Sequence, residues 1–571
     1  MTPPATISRH YVAVGGREVH YRRGGDGPPV VLLHESPLSS LAHEPLMRGL
    51  GERFTTLGLD TPGYGNSDPL PSASPSIADY ADALAQTLDA LGVARCGLYG
   101  AHTGACIALE LARRSPERVA ALVLDGLPLA TESERRDLLA RYCPAFEPAI
   151  DGSHLVRAWA MRRDMHVFFP WYDRRAQAAL RLAMPDAATL HRGMLEYLRA
   201  GAGYHLGYEA AFRYDPLAAL ASVGVPTAVV AAATDVLFDQ LSRLPAHGSP
   251  NLVVAARPED PAAAAAALAV HLAAATGLPS PPPPPPSPPR ADRVTRAYAT
   301  TSAGALHLRL RAGGGGRPLV LVHGSPASAA MLEPLIGRLA RSRPVYAFDT
   351  LGNGDSDKPA GDGAGRPDIG DLAAVLTEAI DDIGLQEFDL YGTHTGAAIA
   401  IETSLRGAGR VGRMILDGVA MFDEDTVREF LEHYFIDMAP ASDGSHLLRA
   451  WGCARDSTIW FPWYRRDPEH RYRTDVYEAK ALHRYAVEFL KSGSSYDAPY
   501  RAAFVYRAAE RLPLVEVPAL VAVHREDPLA GFLDAAASIC PGSWRAMLPD
   551  DLDATAAAFE RFLGGAADGR S

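Results

Sequence analysis

The chain carries one long sequence twice, and this duplication limits the possible fold more than any other feature. VVLLHESP (30–37) returns as LVLVHGSP (319–326), LDTPGYGNSD (59–68) as FDTLGNGDSD (348–357), and CGLYGAHTGACIALE (96–110) as FDLYGTHTGAAIAIE (388–402). DGSHLVRAW and FFPWY return as DGSHLLRAW and WFPWY. The register holds along the copy: His102 and His394, like Asp235 and Asp527, stand 292 residues apart (394 − 102 and 527 − 235). Solenoid repeats have periods of roughly 20–50 residues, so a unit this long is expected to be a complete domain.

Between the copies runs Pro279–Pro289, almost wholly proline. Proline has a fixed φ and no N–H, so such a run enters neither a helix interior nor a central strand and extends as a semi-rigid polyproline II spacer. The expected division is a first domain over 1–278, a linker over 279–291 and a second domain over 292–571, with the two halves packed on each other.

With 571 residues, 47% hydrophobic and 21% charged, the chain has the composition of an ordinary soluble globular protein rather than a collagen-like, disordered or disulfide-scaffold one. Its formal net charge of −12 works against non-specific nucleic-acid binding. No run reaches about 18 uncharged apolar residues, and MTPPATISRHYVAVGG has no apolar stretch of signal-peptide length. No membrane span and a cytoplasmic location are expected. The five cysteines are scattered without a CxxC spacing, which suggests neither a disulfide framework nor a metal site.

Within a copy, short apolar runs at 30–33, 96–99, 119–124 and 227–232 read as buried strands, and amphipathic stretches at 76–91 and 104–114 read as helices. Strand and helix alternate, which predicts a mostly parallel sheet flanked by helices, with ligands at the carboxyl ends of the strands. The aromatic-rich stretch over about 132–214 lacks the strand rhythm and is expected to be a helical cap, with its counterpart over 424–506. GGDG and GGGG near the start of each copy read as hairpin turns.

LYGAHTGACIALE has the form strand, G-x-X-x-G, helix, in which small residues let a sharp turn lift one side chain above the sheet. Together with HESP and HGSP and with DTPGYGNSD and DTLGNGDSD, this pattern resembles the α/β-hydrolase superfamily, twice over, and the likeness covers nearly the whole chain outside the linker. The resemblance implies two tandem α/β-hydrolase domains with capped pockets. Two departures stand out. His102 and His394 occupy the elbow position where the family places a serine, aspartate or cysteine. No histidine follows the last strand in VVAARPEDPAAAAAAL or AMLPDDLDATAAAF, and neither His247 nor His271 is assigned the missing role.

The resemblance supplies two acid positions per copy. Asp235 and Asp527 follow a later apolar strand, and Asp125 and Asp417 follow the strand after the elbow helix. Imidazole is longer than a serine side chain, so His102 and His394 are candidates for a His-Asp dyad with one of these acids, serving as base or nucleophile. The backbone N–H groups of Thr103, Thr395, Ser36 and Ser325 match the family's oxyanion donors. Glu35 stands where the second copy has Gly324, so the two sites are expected to differ. In the cap, His154 with Arg157 and His446 with Arg449 lie at i, i+3 spacing and are candidates for substrate contacts, alongside the alternative that Asp151 and Ser153 simply start a helix. Trp159, Phe169, Trp171, Tyr204 and Tyr208 are core or cavity residues. No cofactor or metal is called for. The reading is a divergent hydrolase or lyase acting on a small, partly apolar ester, lactone or carbonyl compound, with an inactive pseudo-hydrolase that binds small molecules or pairs domains as the alternative.

Overall fold

The computed structural model describes residues 6–244, 251–359, 365–407 and 409–565. It divides into two compact units, Met1–Glu147 with Arg157–Ser287, and Pro148–Val156 with Pro288–Ser571. In the first unit, β1 (Ile7–Val14), β2 (Arg17–Gly24), β3 (Pro29–Leu33), β4 (Thr55–Leu59), β5 (Cys96–Ala101), β6 (Val119–Asp125), β7 (Thr227–Ala232) and β8 (Leu252–Arg257) form one sheet. Its order is β1-β2-β4-β3-β5-β6-β7-β8, with β2 alone running against the rest. The second unit repeats this order with β9 (Thr295–Thr301), β10 (Gly304–Arg311), β11 (Leu319–Val322), β12 (Val345–Phe348), β13 (Phe388–Thr393), β14 (Val411–Asp417), β15 (Ala519–His524) and β16 (Trp544–Leu548).

Helices cover both faces of each sheet, which is why the central strands read as unbroken apolar runs. Side chains alternate between the faces. Val31 and Leu33 of β3 pack with the helices Ile77–Ala90 and Thr103–Arg114, whereas Val30 and Leu32 meet the helices Glu44–Leu50 and Pro261–His271 on the other side. The helix at Ile77 starts where Ser76 and Asp79 satisfy each other's backbone N–H groups in a capping box. Between β6 and β7 the chain inserts the helices Glu132–Arg141, Ser153–Asp164, Ala187–Ala200 and His205–Arg213, followed by the short Pro216–Leu220, and the second unit inserts their counterparts between β14 and β15. Among the described residues no helix is long and apolar enough to cross a membrane.

One local expectation is corrected. GGDG (24–27) links β2 to β3, and GGGG (313–316) links β10 to β11. In both units an intervening strand separates the linked pair, so neither is a hairpin turn. The proline-rich run, as far as Ser287, lies along the first unit. Its carbonyls cannot be claimed by neighbouring proline N–H groups, and Arg23 donates to that of Pro282 while the Ser287 hydroxyl donates to the Tyr11 carbonyl at 3.0 Å.

The entry of the helix Thr103–Arg114 depends on close backbone contact: a Cβ at Gly104 would lie 2.3 Å from the Leu33 carbonyl oxygen, and one at Gly100 would lie 2.2 Å from that of Gly104. Gly104→Ala is therefore expected to destabilise the first unit by about 2–4 kcal/mol. Gly203→Ala, whose nearest neighbour is Leu206 at 3.8 Å, is expected to stay within about 0.5 kcal/mol. Thermal denaturation of both variants checks the contrast.

Candidate active site

A single residue separates β5 from the helix Thr103–Arg114, and that residue is His102, with φ 46° and ψ −107°. His394 holds the same place in the second unit with φ 52° and ψ −114°. Among the described residues these are the only non-glycine positions with positive φ. Such a conformation costs on the order of 1–3 kcal/mol and persists only where its surroundings fix it. Here the glycines at 100 and 104 admit the sharp turn, and the His102 N–H donates to the Asp125 carbonyl at 2.9 Å, as the His394 N–H does to Asp417 at 2.9 Å.

The imidazoles reach the later acids. His102 Nε2 lies 2.8 Å from Asp235 Oδ2, and His394 Nε2 lies 2.7 Å from Asp527 Oδ2. The second oxygen of each acid accepts a backbone N–H two residues on, from Leu237 and Leu529, both at 2.8 Å, which fixes the carboxylate. Glycine clears the path of each ring: a Cβ at Gly126 would stand 2.5 Å from His102 Cδ2, and one at Gly418 would stand 2.6 Å from His394 Cδ2. Both glycines have positive φ.

The other candidate acids do not touch the rings. Tyr99 donates its hydroxyl to Asp125 Oδ2 at 2.7 Å, and the Arg257 guanidinium donates to the same oxygen. In the second unit Tyr391 donates to Asp417 at 2.9 Å. Burial lifts the pKa of Asp125 against the pull of Arg257 and Tyr99, and burial also lifts Asp417. The structure thus pairs Asp235 and Asp527 with the elbow rings and gives Asp125 and Asp417 to tyrosines on the neighbouring strand.

Burial and the positive end of the helix dipole both oppose a charged ring at the elbow. The Asp235 carboxylate outweighs them, and with lesser help from Glu35 and Asp125 it holds His102 at about 9. His394 is raised in the same way by Asp527, again against burial. For Asp235 and Asp527 burial pushes upward, but the paired rings bring both below the ordinary carboxylate value.

Each ring borders a cavity. That beside His102 encloses about 240 Å³, and that beside His394 about 60 Å³. Nδ1 of each ring has no hydrogen-bond partner among the described residues. Thr103 and Thr395 are the first residues of their helices, whose N-termini carry no side-chain cap from His102 or His394. Ser36 and Glu35 line the first cavity. Although burial favours its neutral form, the Glu35 carboxyl is kept ionised by His43, His102, its own N–H and His34. Tyr64 donates its hydroxyl to the Tyr204 carbonyl at 3.0 Å, whereas in the second unit Asn353 stands in place of that tyrosine and the Ser325 hydroxyl is buried without a partner among the described residues. His34 and His323 serve the frame, each accepting a backbone N–H, from Thr61 at 2.9 Å and Thr350 at 3.0 Å.

The expected cap contacts are not at the cavities. His154 and His446 are buried, and each accepts at Nδ1 a backbone N–H from five residues earlier, from Ala149 at 3.2 Å and Ala441 at 3.1 Å. Arg449 donates to the Asp437 carbonyl at 2.9 Å, and Arg157 is exposed. None of the four lines either cavity. The cause is local: Asp151 and Asp443 accept the N–H of Ser153 and Ser445 and start the helix there, which turns both histidines back onto the preceding loop. Phe169 and Tyr208 do face the first cavity, Trp159 is core, Tyr204 is buried, and Trp171 donates to the Tyr142 carbonyl at 2.9 Å. His247 lies outside the described residues, and His271 ends the helix Pro261–His271. Sequence reasoning missed Arg257, His43 and Arg162, which are single residues of the first copy without a motif around them.

Among the described residues one group could hold a cation, His307 with Asp349 and Asp355. Asp349 is already engaged by His307 at 2.9 Å and by the N–H groups of Ala329 at 2.7 Å and Asp355 at 2.9 Å. That group pins loops.

The elbow pair has a defined pH signature. The His102 value is raised from 6.5 to about 9, so its stabilisation is fully present below pH 6.5 and is lost as the pH rises through about 9. Asp235 is lowered from 3.8, so its share is present above that value and is lost as the pH falls below it. The melting temperature of the unsubstituted protein is thus expected to exceed that of Asp235→Asn most between about pH 4 and 6.5, and the gap is expected to close above about pH 9. Thermal melts across this range check it.

The profile of the α/β hydrolase fold family matches residues 28–259 and 317–561. Over 157 residues the chain is 33% identical to 2-(acetamidomethylene)succinate hydrolase of Mesorhizobium japonicum, covering 28% of this chain and 56% of that protein. Over 121 residues it is 33% identical to 2-hydroxymuconate semialdehyde hydrolase of a Pseudomonas species, covering 21% and 42%. The chain spans about half the length of these curated relatives. The enol-lactonase from Burkholderia xenovorans LB400 is similar over 47% of this chain and 97% of that one, with a TM-score of 0.35 and 19% identity. With two profile matches that together take in most of its length, the chain belongs to the α/β hydrolase fold family, as a tandem of two such domains.

Proposed function

We propose that the chain is a hydrolase for small, partly apolar esters, lactones or related carbonyl compounds, worked by the His-Asp pair at each elbow. The observation that carries this reading is the imidazole at a positive-φ turn in each unit, with Nε2 on a half-buried acid and Nδ1, beside a cavity, without a partner among the described residues. In the neutral ring, Nδ1 takes a proton from water as the water oxygen attacks the substrate carbonyl. The charge that develops on the carbonyl oxygen falls to the N–H groups of Thr103 and Ser36, or of Thr395 and Ser325. Collapse expels the alkoxide, which recovers the proton from the imidazolium, while Asp235 or Asp527 orients the ring and balances its charge. The two curated relatives named as hydrolases of small molecules support a substrate of this size.

A second reading draws on the same raised pKa. A ring held near 9 is mostly imidazolium at neutral pH, which suits holding an electron-rich ligand without turnover. The absence of a hydroxyl at the elbow and of a histidine after the last strand fits such a pseudo-hydrolase that binds small molecules.

Turnover of phenyl acetate and γ-butyrolactone by the intact chain, His102→Ala, His394→Ala and the double variant separates these readings. Hydrolysis is expected to fall by 10²-fold or more in the double variant. Below about pH 9 the rate is expected to rise close to tenfold per pH unit as the ring of His102 loses its proton. Turnover unchanged in all variants would remove the elbow mechanism, and binding without turnover would favour the second reading.

A further inference from the structure

The lining of the first cavity includes an arginine that has no ion-pair partner among the described residues. Arg162, on the helix Ser153–Asp164, lines this cavity, and its Nε is buried without a hydrogen-bond partner. Its one contact of this kind is Nη1 to the Met165 sulfur at 3.4 Å. No carboxylate of the described residues is within ion-pair distance. Arg135, which shares the lining, differs: it is paired with Glu132 at 3.0 Å and donates to the Tyr214 carbonyl at 3.1 Å. The Nε of Arg162 is shut off from water without a partner, and the five fixed donors of a guanidinium match a planar carboxylate.

The guanidinium is accommodated by design of the neighbouring helix. A Cβ at Gly193 would lie 2.6 Å from Arg162 Nη2, so glycine there lets the guanidinium keep its place without shifting. In the second copy the two positions change together: Ala454 replaces Arg162 and Tyr485 replaces Gly193. The smaller cavity by His394 has no arginine in its lining and is walled by Phe422, Phe461, Phe504 and three tyrosines. At the elbow end of the first cavity the ionised Glu35 opposes a second negative charge.

We infer that the first cavity binds a small monocarboxylate, with the carboxylate forked on Arg162 and the uncharged end toward His102, whereas the second, smaller and aromatic-walled, does not share this preference. This deepens the reading of the first cavity as a substrate site, yet it concerns binding and stands whether or not turnover occurs. Arg162 is the specificity residue, and Gly193 makes its room.

Calorimetric titration of the full chain with benzoate and with its uncharged isostere benzamide tests it, in the unsubstituted protein, Arg162→Gln and Arg162→Lys. Benzoate is expected to bind at least tenfold more tightly than benzamide. Arg162→Gln is expected to erase that preference while leaving benzamide affinity within about twofold and the melting temperature unchanged, and Arg162→Lys is expected to keep part of it. Benzoate binding no tighter than benzamide, or undiminished in Arg162→Gln, would overturn the assignment. If Arg162→Gln does not fold, a full benzoate preference in Arg162→Lys with its bidentate fork lost would also count against it. Hydrolysis of phenyl acetate that depends on His102 while benzoate fails to bind would sink this inference alone.

Discussion

Each unit is arranged around a turn that allows one residue between a central strand and a helix. The backbone can make that turn only with φ in the left-handed region, a cost on the order of 1–3 kcal/mol at a histidine, and with the helix entry pressed against the strand beside it. Gly100 and Gly104, and Gly392 and Gly396, permit the contact because any Cβ there would collide with a carbonyl. The turn lifts His102 and His394 off the sheet, and Gly126 and Gly418 then open the space through which the rings meet Asp235 and Asp527. In each unit three glycine positions and one acid account for the placement of the ring, and the rest of the domain holds them in register.

Electrostatics decide between the two acids that the fold offers. Asp125 sits beside the elbow on β6, but Tyr99 and Arg257 claim its outward oxygen, and burial biases it toward the neutral form. Asp235 lies beyond β7, anchored by the Leu237 N–H and free to face the ring. A carboxylate at hydrogen-bond distance outweighs both desolvation and the helix dipole, so the ring is raised rather than lowered. Around this shared pair the copies have diverged. The first adds Glu35 and Arg162 to a larger cavity, and the second replaces them with glycine, alanine and a wall of aromatic side chains.

Much of this was legible in the sequence for physical reasons. Duplicated strings in matching order marked two domains, and buried parallel strands announce themselves as apolar runs, so β3, β5, β6 and β7 fell within a residue or two of the expected limits. The elbow could be placed because G-x-X-x-G imposes a backbone that few other sequences need. What failed were inferences from spacing alone. His154 and Arg157 do share a helix, but an aspartate cap turned the histidine onto its own loop. GGDG looked like a hairpin because neighbouring strands in sequence were assumed to be neighbours in the sheet. The sign of the ring's pKa shift required the distance to Asp235, which no motif encodes, and the unpaired Arg162 became visible only once its surroundings were in place.

The account rests on a charged ring held by an acid at the strained turn, and direct titration of His102 tests it most sharply. With ¹⁵N-labelled histidine, and His102→Ala to assign the resonance, the ring of the intact chain is expected to titrate near 9 with its proton retained through neutral pH. It is expected to drop markedly when Asp235 is replaced by asparagine. A midpoint at the ordinary 6.5, or one indifferent to Asp235, would contradict the pairing and with it the reading of the elbow as a His-Asp site.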